Sequence, residues 1–436
     1  MNPILKLVYR FCQALAIVAL NIYYRKVVIV NRSHLTAKGP LMIVSNHMNT
    51  GLDPLFALMY ARETSFLLVN YSLFKNPIVG AILRTLFCIP IQRIQDIKPG
   101  EAPKNDDAFR ACDEHLQSGQ SIYVAPEGTS YAERHIRECK TGTARIVFSA
   151  ENNNKFALDL RILPIGITYY DALKFQTDVV MEIGEPFSAD IYEQAYAENP
   201  RQAVQSLTDD IEKQFIQLTV HCKDAAEDDF LKKLEILLSN DTPLDVEAHH
   251  WRSKKLIANI HDWQAKDVTG FDQFKHKVDT YFDTLDKLKT KDWSSKTLNL
   301  PLSMIGVLVA FPAFLIGFLG NIVPAWLSNR MISLAKVHES YDSTIRLCAG
   351  LVFFPLFWWL QSEIIFQGYD LNAFETLAYI LVLIGTGLLA WRVYTEGGKI
   401  LNFYQYKKAN RDGHLTEMRQ AIREQLNGLL LGTMKQ

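Results

Sequence analysis

Chemistry concentrates first in the stretch Val44-Ser45-Asn46-His47-Met48-Asn49-Thr50-Gly51-Leu52-Asp53-Pro54. A neutral imidazole held by a carboxylate is the usual general base for deprotonating an alcohol near neutral pH, and His47 with Asp53 offers that pair. Each residue also has a plainer reading. His47 suits a hydrogen-bonded loop, and Asp53 ahead of Pro54 suits an N-cap followed by proline at the first helical position. Three later stretches add polar groups. Val124-Ala125-Pro126-Glu127-Gly128-Thr129-Ser130 brings a carboxylate, a glycine and two hydroxyls to a strand end. Such a loop can line a pocket for an anionic ligand with close-lying main chain, although alone it also fits a surface turn. Ile89-Pro90-Ile91-Gln92-Arg93 delivers a cation at the end of a strand. Cys139-Lys140-Thr141-Gly142-Thr143-Ala144-Arg145 puts Lys140 at a helix start, a position suited to phosphate.

These residues need a scaffold, and the apolar pattern supplies one. Short apolar runs at 27–30, 41–44, 66–69, 87–91, 122–124, 162–167 and 179–183 read as strands. Helical spacing falls between them, at 54–62, 76–84, 104–118 and 140–152. The alternation describes an α/β layer domain over 27–196. His47 and Asp53 then sit on the loop after the second strand, at the carboxyl end of the sheet where ligands bind. No GxGxxG or GxxxxGK[ST] occurs in this domain, so no nucleotide site is indicated.

At 436 residues the chain exceeds one ordinary domain. Its net charge of −1 makes no global case for nucleic acid as a partner. The six cysteines show no CxxC pair and no metal-ligand spacing, which points to a reducing, cytosol-facing compartment. Residues 1–26 combine an apolar helix with Lys6 and Arg10 and end in Tyr23-Tyr24-Arg25-Lys26, the pattern of a membrane-embedded or interfacial anchor. Residues 197–297 carry charged and apolar residues at helical spacing and read as a helical subdomain, with His249-His250 as a surface pair. From 298 to 436 come three apolar stretches near the length a bilayer requires: Leu300 to Val323, Leu347 to Phe366 and Leu377 to Val393. Lysines and arginines flank the first and third stretches, whereas the loop from Gln367 to Thr376 has none. The positive-inside rule then asks for an even number of crossings. The first stretch, with Pro301, Gly306, Pro312 and Gly317, is therefore expected to form a re-entrant hairpin, followed by two transmembrane helices and a cytoplasmic tail. Three true spans are the alternative.

Taken together, the four polar blocks resemble the glycerolipid acyltransferase family, which includes glycerol-3-phosphate and lysophosphatidic acid acyltransferases. The matching blocks are Asn46-His47 through Asp53-Pro54, Ile89 to Arg93, Pro126 to Thr129, and Leu163-Pro164-Ile165. Two departures stand out. Five residues separate His47 from Asp53 where the family usually has four, and Ser130 stands where an arginine usually follows the third block. The longer spacing looks like the subgroup acting on glycerol 3-phosphate and dihydroxyacetone phosphate. Arg93-Ile94-Gln95-Asp96, Lys140-Thr141-Gly142 and Pro164-Ile165-Gly166-Ile167-Thr168-Tyr169 leading to Gly184-Glu185-Pro186 strengthen that likeness, which is close over residues 40–190.

The resemblance implies an α/β fold, a mixed sheet flanked by helices, followed by a helical subdomain and a C-terminal helical membrane region. It implies a membrane-bound enzyme moving a fatty acyl group from a thioester to a hydroxyl of glycerol 3-phosphate or dihydroxyacetone phosphate. Acylation of lysophosphatidic acid or another lysophospholipid is the second reading, and an inactive lipid-binding membrane protein the third. His47 and Asp53 would be catalytic, His47 as base and Asp53 as its orienting partner. Arg93, Glu127, Gly128, Thr129 and Lys140 would bind substrate, with Arg134 and Arg137 either replacing the missing arginine or forming exposed salt bridges. The oxyanion would be met by backbone N–H groups near the first or third block. No cofactor and no metal are expected, acyl-CoA or acyl carrier protein being a co-substrate. The expected setting is an integral membrane protein of the bacterial inner membrane or endoplasmic reticulum, its catalytic domain facing the cytoplasm.

Overall fold

The computed structural model describes residues 3–59, 64–85, 87–93, 96–98, 103–293, 300–367, 369 and 371–431. The end of the helix expected over 54–62, Ile94 and Gln95 beside Arg93, and part of the loop from Gln367 to Thr376 lie outside the described residues. Two compact units result, one of Met1–Ala225 with His338–Thr344, the other of Ala226–Val337 with Ile345–Gln436.

The first unit holds α1 (Pro3–Tyr23), β1 (Lys26–Val30), β2 (Leu41–Ser45), α2 (Leu52–Met59), β3 (Ser65–Asn70), α3 (Pro77–Thr85), β4 (Cys88–Ile91) and α4 (Asp106–Gln117). It continues through β5 (Ser121–Val124), α5 (Gly142–Asn153), β6 (Arg161–Tyr169), β7 (Asp178–Ile183), β8 (Phe187–Ser188), α6 (Glu193–Glu198) and α7 (Pro200–Leu218). The strands form one mixed sheet in the order β1-β7-β6-β2-β5-β3-β4, with β8 beside β6. From β6 through β4 all neighbours are parallel, whereas β7 and β8 meet β6 antiparallel. A parallel core covered on both faces explains why these strands read as continuous apolar runs: every residue of β2 is buried. The consequence for chemistry is that the carboxyl ends of β2, β3, β4 and β5 share one edge.

Residues 197–225, expected from the sequence to open the helical subdomain, belong instead to this first unit. Asn199 caps α7 by accepting from Gln202 N at 3.2 Å, with Pro200 at the first helical position. The helix then buries Leu207, Ile211 and Phe215 in the core that contains Met42, Ile122 and Ile162. An amphipathic helix needs an apolar surface to cover, and β6 supplies it.

The second unit carries α8 (Ala225–Asp241), α9 (Val246–Lys266), α10 (Val268–Lys287), α11 (Leu300–Ala335), α12 (Asp342–Ile365, whose first three residues belong to the first unit), α13 (Ala373–Ala409) and α14 (His414–Leu431). His250 is fully buried in α9, so the adjacent histidines are not the surface pair expected from sequence. The re-entrant hairpin expected in the first apolar stretch is replaced by one continuous 36-residue helix, α11, with Pro312 and Pro324 inside it. Pro324 has no N–H to give to the carbonyl of Gly320, one turn back. Gln361 Nε2 donates to that oxygen at 2.9 Å and so makes good the loss. Asn321 Nδ2 further joins Gly317 O at 2.8 Å to Leu383 O at 3.0 Å, tying α11 to α13. Together with α1, the helices α11, α12 and α13 are long and apolar enough to cross a membrane.

Candidate active site

The loop between β2 and α2 is pinned before the chemistry begins. Asn46 makes two bonds to the backbone of Ile167, accepting from its N at 2.7 Å and donating to its O at 3.0 Å. This prolongs the pairing of β2 with β6 past Ser45, so His47 leaves the sheet at a defined point. Its Nδ1 lies 3.0 Å from Asp53 Oδ2. Asp53 is fully buried, and its Oδ2 also accepts from Asn49 N at 2.7 Å while Oδ1 accepts from the Tyr169 hydroxyl at 2.5 Å. Burial, and next the charge of Asp53, push the Tyr169 hydroxyl well above its ordinary range, so it stays a donor. Three donors converging on one carboxylate place the imidazole proton on Nδ1 and leave Nε2 as the basic nitrogen. The pair expected from sequence is thus brought together, with Asp53 inside the first turn of α2 rather than ahead of it as a cap.

The residue that lengthens the loop is absorbed at Thr50-Gly51 by a segment far along the chain. Thr344 Oγ1 donates to Asn49 Oδ1 at 2.8 Å and accepts from Gly51 N at 3.0 Å. A Cβ on Gly51 would collide with Thr344 Cγ2, so the approach requires glycine. Ser130, which replaces the arginine usual in the resembling family, donates to Ser340 Oγ at 2.9 Å and lies 2.5 Å from Thr50 Oγ1. Three hydroxyls therefore lock the longer loop where the family pattern has a cation.

Glu127 is buried, and both its oxygens accept backbone N–H groups, from His47 at 2.7 Å and from Arg137 at 3.0 Å. Desolvation raises its pKa from the ordinary value, and those two donors oppose the shift. Gly128 turns at φ +73°, a left-handed conformation natural to glycine, and exposes its carbonyl to Arg93 Nη1. Arg93 also grips Asp96 through Nε at 2.6 Å and Nη2 at 3.1 Å. Lys140 donates its backbone N to Pro126 O at 2.8 Å, and its exposed ammonium stands 3.3 Å from Glu138. Thr129 lies on the same turn, half-buried. The site residues read from sequence therefore occupy three linked loops, after β2, β4 and β5, at one edge of the sheet. We expect Glu127→Gln to destabilise the fold by about 1–3 kcal/mol, because its amide NH2 would face a backbone N–H; denaturant unfolding reads this directly.

Arg134 is almost fully buried, contrary to the exposed salt bridge expected as one of its two roles. Arg137 stacks on the Tyr131 ring at 3.8 Å and pairs with Glu133 at 2.9 Å. The N–H groups of His47, Asn49 and Gly51 are engaged by Glu127, Asp53 and Thr344, and Gly128 N donates to Ala125 O at 3.1 Å. They do not provide the free oxyanion donors expected near these blocks. Sequence reasoning misses Tyr169, Asn49, Ser340 and Thr344 as site residues. Tyr169 has a signal in the strand that ends on it, whereas nothing local marks Ser340 or Thr344.

Residues 26–168 match the family model described as Acyltransferase. The chain is 26% identical over 130 residues to glycerol-3-phosphate O-acyltransferase 2 of Saccharomyces cerevisiae, covering 30% of this chain and 17% of that one. It is 31% identical over 114 residues to glycerol-3-phosphate O-acyltransferase 1 of the same yeast, covering 26% and 15% respectively. Matched stretches thus span less than a fifth of those relatives. The crystal structure of the 1-acyl-sn-glycerophosphate acyltransferase PlsC from Thermotoga maritima aligns at a TM-score of 0.33 with 19% identity, over 47% of this chain and 80% of that one.

Proposed function

We propose, from the match of residues 26–168 to the Acyltransferase family model, that the chain transfers a fatty acyl group from a thioester, acyl-CoA or acyl carrier protein, to a hydroxyl of glycerol 3-phosphate or dihydroxyacetone phosphate. The observation that carries this reading is the buried Asp53 carboxylate holding His47 Nδ1 at 3.0 Å, which directs Nε2 to act as base. As the acceptor oxygen attacks the thioester carbonyl carbon, His47 Nε2 takes the hydroxyl proton. Asp53 stabilises the imidazolium without taking the proton itself. The tetrahedral adduct collapses, the carbon–sulfur bond breaks, and the departing thiolate recovers the proton from His47. An ester and a free thiol result, with no acyl-enzyme along the way.

Arg93 and Lys140 flank the Gly128 turn and are the cations proposed to meet the acceptor phosphate. Glu127 supports the site mainly by holding the His47 and Arg137 backbones together. Names of the yeast relatives favour glycerol 3-phosphate as acceptor. Four helices of sufficient length and hydropathy support attachment to the bilayer, where a long acyl chain and the acylated product reside.

Purified chain incubated with a labelled acyl donor and separate acceptors tests this assignment by thin-layer separation of products. Labelled 1-acylglycerol 3-phosphate or its dihydroxyacetone counterpart is the expected product. Label appearing only in diacylated lipid from lysophosphatidic acid would replace the acceptor assignment, and no transfer to any acceptor would reject the function.

A further inference from the structure

The strongest unassigned surface lies beside the site, on the segment joining β3 to β4. Tyr71–Lys75 forms a 3-10 turn that starts directly after β3, and so stands at the same sheet edge as the His47, Arg93 and Glu127 loops. The turn buries Phe74 but leaves Leu73 40% exposed, and α3 leaves Ile78 72% and Ile82 53% exposed. Residues 78 and 82 are one helical turn apart and share a face. The segment is well anchored from within: Asn76 Oδ1 accepts from Ile78 N at 3.0 Å, and the Arg84 guanidinium sits 5.4 Å from the Phe74 ring. Isoleucines projecting from an ordered element are a surface that something covers.

Charge identifies the occupant. In a chain of net charge −1, the first 95 residues carry ten lysines and arginines against two carboxylates, Asp53 and Glu63. Asp53 is buried, while Lys75 and Arg84 lie exposed near the two ends of α3, Arg84 turned toward the Phe74 ring. Apolar side chains bordered by cations on a short amphipathic helix match the interface of an anionic bilayer. We propose that the turn at 71–75 and helix α3 form a second membrane-docking element, inserting Leu73, Ile78 and Ile82 among acyl chains while Lys75 and Arg84 meet anionic headgroups. Docking there sets the catalytic edge of the sheet against the lipid surface, so that the acyl chain of the donor enters from the bilayer. The proposal rests on the reading of the chain as membrane-bound.

The test uses the full chain with Cys12, Cys88 and Cys348 changed to serine and one new cysteine, Ile78→Cys or Ile82→Cys, bearing an environment-sensitive fluorophore. Asp107→Cys is the control, its side chain being 99% exposed on α4. Protein is reconstituted in phosphatidylcholine vesicles with or without phosphatidylglycerol. Labels at 78 and 82 are expected to resist aqueous iodide several-fold better than the control and to be quenched by lipid-borne nitroxide. Phosphatidylglycerol should strengthen both effects, and Lys75→Glu with Arg84→Glu should abolish that strengthening. Chain that floats with the vesicles while its 78 and 82 labels behave like the control overturns the docking element alone. Chain that fails to float overturns the membrane reading and the docking element together.

Discussion

His47→Ala is expected to lower the rate of acyl transfer by about 10²–10⁴-fold, the range a positioned general base supplies. The side chain is only 14% exposed, and the bonds that shape its loop come from its backbone, whose N donates to Glu127 and whose O accepts from Tyr131 N at 3.2 Å. Alanine keeps both. The loss should therefore fall on turnover, with the Michaelis constant for the acyl donor little changed and the thermal unfolding of the protein near that of the parent. Steady-state kinetics with circular dichroism on the same preparation separates the two. Turnover within tenfold of the parent would remove His47 from the role of base.

Asp53→Asn is expected to cost nearly as much, for a different reason. The aspartate accepts from three donors, Tyr169, Asn49 and His47, and an asparagine offers one oxygen and one NH2 in the same space. The least costly accommodation turns the NH2 toward the Tyr169 hydroxyl, which can accept as well as donate, and keeps the oxygen on Asn49 N and His47 Nδ1, so His47 keeps its tautomer but loses the negative charge that stabilises its imidazolium. A fall in turnover of about 10²–10⁴-fold follows, with affinity for both substrates retained. Replacement by asparagine changes little in volume, so a folded but slow enzyme is the expected result. An inactive variant that also fails to fold would show Asp53 acting chiefly as a buried structural carboxylate.

Much of this site is legible in the amino-acid sequence, because the residues that do chemistry adjoin short, unambiguous strands. β2 and β6 are continuous apolar runs because both faces are covered, and the end of β2 places Asn46 and His47 within a residue or two of the expected positions. Residues that position the chemistry from a distance are less legible. Thr344 and Ser340 precede an apolar stretch that reads only as membrane, and their hydroxyls gain meaning once the chain returns to Thr50 and Gly51. Glu127 reads as a possible ligand group, whereas both of its oxygens serve the backbone. The hairpin expected at Leu300 to Val323 rests on an even count of crossings and on Pro301, Gly306, Pro312 and Gly317, and α11 runs unbroken past all four. Gln361, some 40 residues on, supplies the donor that lets α11 continue through Pro324. The edge of the catalytic unit falls later than expected for a similar reason. Periodicity shows that α7 is amphipathic but does not say which surface its apolar face will cover, and here that surface is β6.

Direct attack of an acceptor hydroxyl on the thioester, with His47 as base, is tested most directly by following free thiol after mixing the protein with acyl-CoA in vesicles, with and without glycerol 3-phosphate. Thiol release should depend on the acceptor, match the ester formed mole for mole, and vanish in His47→Ala. A burst of thiol equal to the enzyme present, without acceptor and with the acyl group left on the protein, would contradict direct transfer.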